Sequence, residues 1–80
     1  MIEIYENGPN GPSRAVNAVY LSVMNRDGTL LGKDLESMEG LDTRVRIVCA
    51  DSEDMDSSEE AFQGLLAEIR MCDILLVNLQ

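Results

Sequence analysis

The sequence predicts an α/β domain built as one half of a doubly wound parallel sheet, in three layers, and three observations predict it. Residues 44–50 (Arg-Val-Arg-Ile-Val-Cys-Ala) and 74–79 (Ile-Leu-Leu-Val-Asn-Leu) are apolar runs of strand length. Between them Ala61, Phe62, Leu65, Leu66, Ile69 and Cys72 recur at helical period, which makes one amphipathic helix. Strand, helix and strand in alternation pair in parallel through crossover helices, and the same alternation extends back to residue 19.

Taken in order, residues 1–6 alternate apolar and acidic side chains, the period of a half-exposed strand, and this predicts an additional N-terminal strand at a sheet edge. Residues 7–12 repeat Asn-Gly-Pro and read as a turn or linker. They do not form a phosphate cradle: neither GxGxxG nor GxxxxGK[ST] is present, and Pro9 and Pro12 lack the amides such a loop uses. From Ala15 to Met24 two readings stand, a helical face of Val16, Val19, Tyr20 and Val23, or a strand over residues 19–23. The strand is preferred, with a turn at residues 25–28 and Thr29 capping a short helix on which Leu31, Leu35 and Met38 share a face before Gly40 ends it.

Six of residues 51–60 are acidic: Asp51, Glu53, Asp54, Asp56, Glu59 and Glu60. A calcium loop starting at Asp54 would need Gly where Glu59 stands and Glu where Leu65 stands, so the motif fails. A solvated acidic loop over residues 51–56, placing negative charge at a helix N-terminus, accounts for the same residues. The helix then spans about residues 58–71, with Ser57 and Glu60 at capping-box spacing, and the strand Ile74 to Leu79 has the composition of one covered on both faces. Strand, helix, strand, helix, strand is the opening half of a Rossmann- or flavodoxin-like sheet.

Composition excludes several functions. With fifteen acids, six bases and no His, the chain carries a formal charge of −9, which repels nucleic acid and anionic membranes and leaves room for cationic partners. Acidity is concentrated: residues 27–56 hold nine acids against three bases, whereas residues 1–26 balance. No apolar run reaches membrane-spanning length and no signal peptide opens the chain, so a cytoplasmic address is expected. Cys49 and Cys72 read as buried thiols, without a His or a second Cys at zinc-ligand spacing. Ligands of such sheets bind at the carboxyl ends of the strands, here residues 25–28 and 51–56, whose acidity disfavours phosphate-bearing cofactors. No catalytic residue, metal ligand or cofactor is nominated.

The stretch from Asp51 to Gln80 resembles the beginning of the large subunit of cobaltochelatase and magnesium chelatase. That family carries a phrase of the type A-D-hydrophobic-N-L-H-G, which Cys72, Asp73, Asn78, Leu79 and Gln80 would occupy, with Cys for Ala and Gln for His. The resemblance implies a non-catalytic N-terminal portion of a subunit that binds a tetrapyrrole and takes part in ATP-driven insertion of cobalt or magnesium. The alternatives are a free-standing acidic α/β protein-interaction module and, third, a flavodoxin-like nucleotide binder. Under either of the first two readings, the apolar Ile74 to Leu79 strand at a sheet edge is expected to meet the remainder of a longer parent chain, a protein partner, or a second copy in a homo-oligomer.

Overall fold

A computed structural model of the chain describes residues 2–11, 14–24 and 26–78. Its elements in order are β1 (Glu3–Asn7), β2 (Val16–Ser22), α1 (Arg26–Ser37), β3 (Val45–Asp51), α2 (Ser52–Ser57), α3 (Glu59–Met71) and β4 (Ile74–Asn78). The strands form one mixed sheet in the order β1-β3-β2-β4, in which β2, β3 and β4 are parallel and β1 is antiparallel to β3. The chain is therefore a small α/β domain, and its N-terminal strand lies at an edge, as the period-two pattern predicts.

The ambiguous segment is a strand. Val16–Ser22 pairs with β3 on one side and β4 on the other, so β2 is central and needs apolar groups on both faces. That requirement places Ala18, Val19, Tyr20 and Leu21 side by side and blurs the alternation that would have separated strand from helix.

Helix α1 begins earlier than expected, because Arg26–Gly28 is its first turn and not a loop; Asn25 lies outside the described residues. Thr29 is not its cap: the Thr29 hydroxyl donates to Glu3 Oε1 at 2.5 Å and ties the helix to β1. Gly32 lets the two elements approach, since a Cβ there would overlap the Tyr5 ring. At the other end Asn7 Nδ2 donates to the carbonyls of Leu35 and Met38, both at 2.7 Å, which satisfies acceptors that the helix leaves open. Met38 stands beyond the last turn and is exposed, so the expected stripe ends at Leu35; Gly40, with φ of +74°, lies in the exit.

The acidic stretch is a helix where a loop was expected. Asp51 caps α2: its carboxylate accepts from Asp54 N at 2.9 Å, and Asp51 N donates to Asp54 Oδ2 at 3.0 Å, a reciprocal capping box. Asp54 is buried by this arrangement. The cap of α3 is displaced by one residue from the expectation, for Ser58 Oγ accepts from Ala61 N at 3.0 Å while the Ser57 hydroxyl donates back to Asp54 O. A short helix ending at Ser57 occupies that residue's hydroxyl and hands the capping position to its neighbour.

The core lies in two layers, one on each side of the sheet. Ala18, Leu35, Ile47 and Cys49 are buried under α1 with Tyr5, Tyr20 and Leu31 around them. Val19, Val48, Ala50 and Leu65 are buried under α3 with Ile2, Met55, Ile69 and Cys72. Phe62, expected on the core stripe, is exposed. The expectation that β4 is covered on both faces is overturned. A helix about 10–12 Å wide covers roughly two strands spaced about 4.8 Å apart. Because α1 packs chiefly on β1 and β3, and Leu65 of α3 rests on β2 and β3, β4 falls outside both.

Candidate interaction surface

β4 presents four consecutive apolar side chains, Ile74, Leu75, Leu76 and Val77, each between 41% and 55% exposed. Its register with β2 assigns them to faces: Ile74 and Leu76 lie beside Ala18 and Tyr20 on the α1 side, and Leu75 and Val77 beside Val19 and Leu21 on the α3 side. The strand is nevertheless held at both ends. Asp73 N donates to Asn17 O at 2.7 Å, Asn17 N returns a bond to Asp73 Oδ2 at 2.8 Å, and Arg14 pairs with the same carboxylate. The Asn17 amide, and after it Arg14, holds the Asp73 carboxyl below its ordinary range. At the far end Asn78 Nδ2 donates to Tyr20 Oη at 3.2 Å.

The helices border this strip without covering it. Asn78 Nδ2 also reaches Asp27 Oδ2 at 3.4 Å, which places the Asp27 flank of α1 towards β4. Leu30 and Asp34 follow on that flank at helical period, and Leu30 is 57% exposed. Ile74 and Leu76 thus lie beside the half-buried Tyr20 on the α1 face of the sheet. On the other side, Arg46 bonds to Glu68 through Nη1 at 2.6 Å, so that flank of α3 faces the β1 half of the sheet. Phe62 and Leu66 occupy the flank turned the opposite way, towards β4. A cleft of about 310 Å³ opens at the carboxyl ends of the parallel strands, lined by Leu21, Val23, Met55 and Val77 together with Ser22, Ser52 and Asn78. A second groove, about 400 Å³, runs between β1 and α3 over Ile2, Ile4 and Val48.

The acidic residues of the sequence do not converge on a ligand. Asp51 and Asp54 are occupied with each other's backbone, and the Ser52 hydroxyl donates to Val23 O at 3.1 Å, joining the two carboxyl-end segments. Among the described residues no group of three His, Cys, Asp or Glu side chains is placed to hold a metal ion. Cys49 is fully buried with its thiol 3.4 Å from Gly28 O, and burial, followed by the nearby Glu3 charge, pushes its pKa up to about 11. A thiol so held is neutral and behaves as a small core hydrophobe. Cys72 is half-buried on the opposite face, and both cysteines are free.

Sequence reasoning located the β4 strand but missed its neighbours. Leu30 sits next to Leu31, off the stripe that Leu31 and Leu35 mark, and an apolar residue off the stripe was the available signal. Among the described residues no helix is long and apolar enough to cross a membrane. Comparison with protein-family models, with curated proteins and with solved structures finds no match to this chain.

Proposed function

We propose that the chain is a non-catalytic α/β interaction unit whose working surface is the β4 edge, completed by a further polypeptide segment. The observation that carries this reading is the exposure of all four apolar side chains from Ile74 to Val77, on both faces of an edge strand that is pinned at each end. Soluble domains cover or charge such edges. The parallel strands run β3-β2-β4, the 2-1-3 order in which flavodoxin-like doubly wound sheets begin, and in that order the next strand belongs beside β4. The mutual bonds of Asp51 and Asp54 favour docking over chemistry.

In its most specific form the reading is the opening of a cobalt or magnesium chelatase large subunit, in which the completing segment belongs to the same polypeptide. That form rests on the resemblance at residues 72–80. Asp73 and Asn78 serve the β2–β4 ladder, and neither is assigned a tetrapyrrole.

Replacing Leu75 or Leu76 by Ser tests the interaction surface. A half-exposed Leu contributes about 1 kcal/mol, against about 2–5 kcal/mol for a core Leu truncation. Each variant is expected to lose about 1 kcal/mol in urea denaturation while sharply reducing the binding of an apolar dye such as anilinonaphthalene sulfonate. Loss of core magnitude with dye binding unchanged would sink the reading.

A further inference from the structure

We infer that the cleft between the carboxyl ends of β2 and β4 is a binding site for a small, neutral, two-ring aromatic molecule, a step that does not depend on what pairs with the β4 edge. Position argues for a site. In a parallel sheet of 2-1-3 order the ligand crevice lies outside the carboxyl ends of the first and third strands, which here are β2 and β4. The cleft stands at that place on the α3 side of the sheet, with Leu21 of β2 and its register partner Val77 of β4 in its floor and Met55 of α2 in its wall. Because α3 does not reach over β4, the space between α2 and β4 stays open. Its walls are fixed before a ligand arrives. The Asp51–Asp54 capping box holds the first turn of α2, Ser52 Oγ ties that turn to Val23 O at 3.1 Å, and Asn78 ties the end of β4 to Tyr20. The resulting volume, about 310 Å³, falls within the roughly 300–1,000 Å³ of small-molecule sites.

Chemistry selects the ligand. No Lys or Arg lines the cleft, and the side-chain donors that do are spent within the protein: Ser22 Oγ on Met24 O at 2.6 Å, Ser52 Oγ on Val23 O, and Asn78 Nδ2 on Tyr20 Oη and Asp27 Oδ2. Asp51, the register neighbour of Ser22, and Asp27 add negative charge at the border, in a chain of −9. A phosphate or carboxylate therefore meets a repelling field and no side-chain donor. An ammonium would have to shed its water against Leu21, Met55 and Val77, which supply nothing to replace it. Size selects two rings, since an apolar cavity of about 150 Å³ holds benzene and this one is about twice as large. Met55 selects an aromatic one, because a thioether packs favourably against a ring edge and adapts to its outline.

Titration of the full chain with indole, followed by methyl NMR, tests this. Saturable shifts are expected at the methyls of Leu21, Met55 and Val77, with a Kd on the order of 0.1–1 mM for a molecule of this size, and none at Leu30 on α1. Indole-3-acetate, the same ring system with a carboxylate, is expected to bind at least about tenfold more weakly. Val77→Asp and, separately, Val23→Asp, both at exposed positions and with their folds checked by circular dichroism, are each expected to weaken indole about tenfold or more. Leu76→Ser, on the opposite face of the same strand, is expected to leave the affinity unchanged. No saturable shift up to about 10 mM indole overturns the site. Binding indifferent to both Asp variants overturns the cleft as its place. Weakening by Leu76→Ser as large as that by Val77→Asp overturns it in favour of general adsorption along β4, an outcome that leaves the proposed function standing. Equal binding of indole and indole-3-acetate overturns the ligand class.

Discussion

β1 and β4 are both five-residue edge strands of one sheet, and they are built on opposite principles. β1 alternates, and its polar groups are used: Glu3 accepts from Thr29, Glu6 meets Arg44 and Arg46, and Asn7 closes the end of α1. Charges along a strand discourage another chain from pairing with it. β4 has no charged side chain from Ile74 to Asn78, and beyond its backbone ladder with β2 it is held by side chains at its ends. The difference teaches that one edge of the sheet is closed to pairing by its charges and the other is left open.

Four measurements would break or sharpen this contrast. The largest effect belongs to the closed edge. Gly8 leaves β1 with φ of +110°, and a Cβ there would overlap the backbone of Thr43 and Arg44. Gly8→Ala is expected to cost about 3 kcal/mol or more, from backbone strain together with the clash, read as a fall in the urea midpoint. A loss under about 1 kcal/mol would mean that β1 is no better anchored than β4. Next comes Asn7→Ala, which removes the bonds to the carbonyls of Leu35 and Met38 and is expected to cost about 1–2 kcal/mol.

Smaller effects test what frames the open side. Ser58→Ala removes the α3 cap and should cost about 1 kcal/mol, whereas Ser57→Ala should change stability by only a few tenths. The reverse order would restore Ser57 as the cap. The smallest effect concerns the clamp at the start of β4. The folded-state pKa of Asp73 is depressed, so its contribution is present above the unfolded value of about 3.9 and is lost as pH falls through the folded one. Acid titration by NMR should therefore shift the Asn17 amide below the ordinary Asp midpoint and hasten hydrogen exchange at Asp73. An Asn17 shift centred at or above about pH 4 would remove the clamp.

Much of the fold was legible because it is written in short-range period. The alternation of residues 1–6, the β-branched run before Cys49 and the stripe from Ala61 to Cys72 each identify an element without reference to the rest of the chain. The missed details all depend on a second partner. Thr29 looked like a cap and is bonded to Glu3; Ser57 looked like a cap and belongs to a helix the acidic stretch was not expected to make; Phe62 looked like core and stands outside it. The contact of Asn78 with Asp27 was invisible for the same reason, since it exists only once β4 lies beside α1.

By itself, then, the sequence determined an acidic α/β domain with a charged first strand and a wholly apolar last one. Tertiary structure alone decided that β2 is a central strand, that the order is β1-β3-β2-β4, and that neither α1 on one face nor α3 on the other reaches over β4. Period is a property of neighbours along the chain, whereas cover depends on how many strands one helix can span and on where the crossovers set it down.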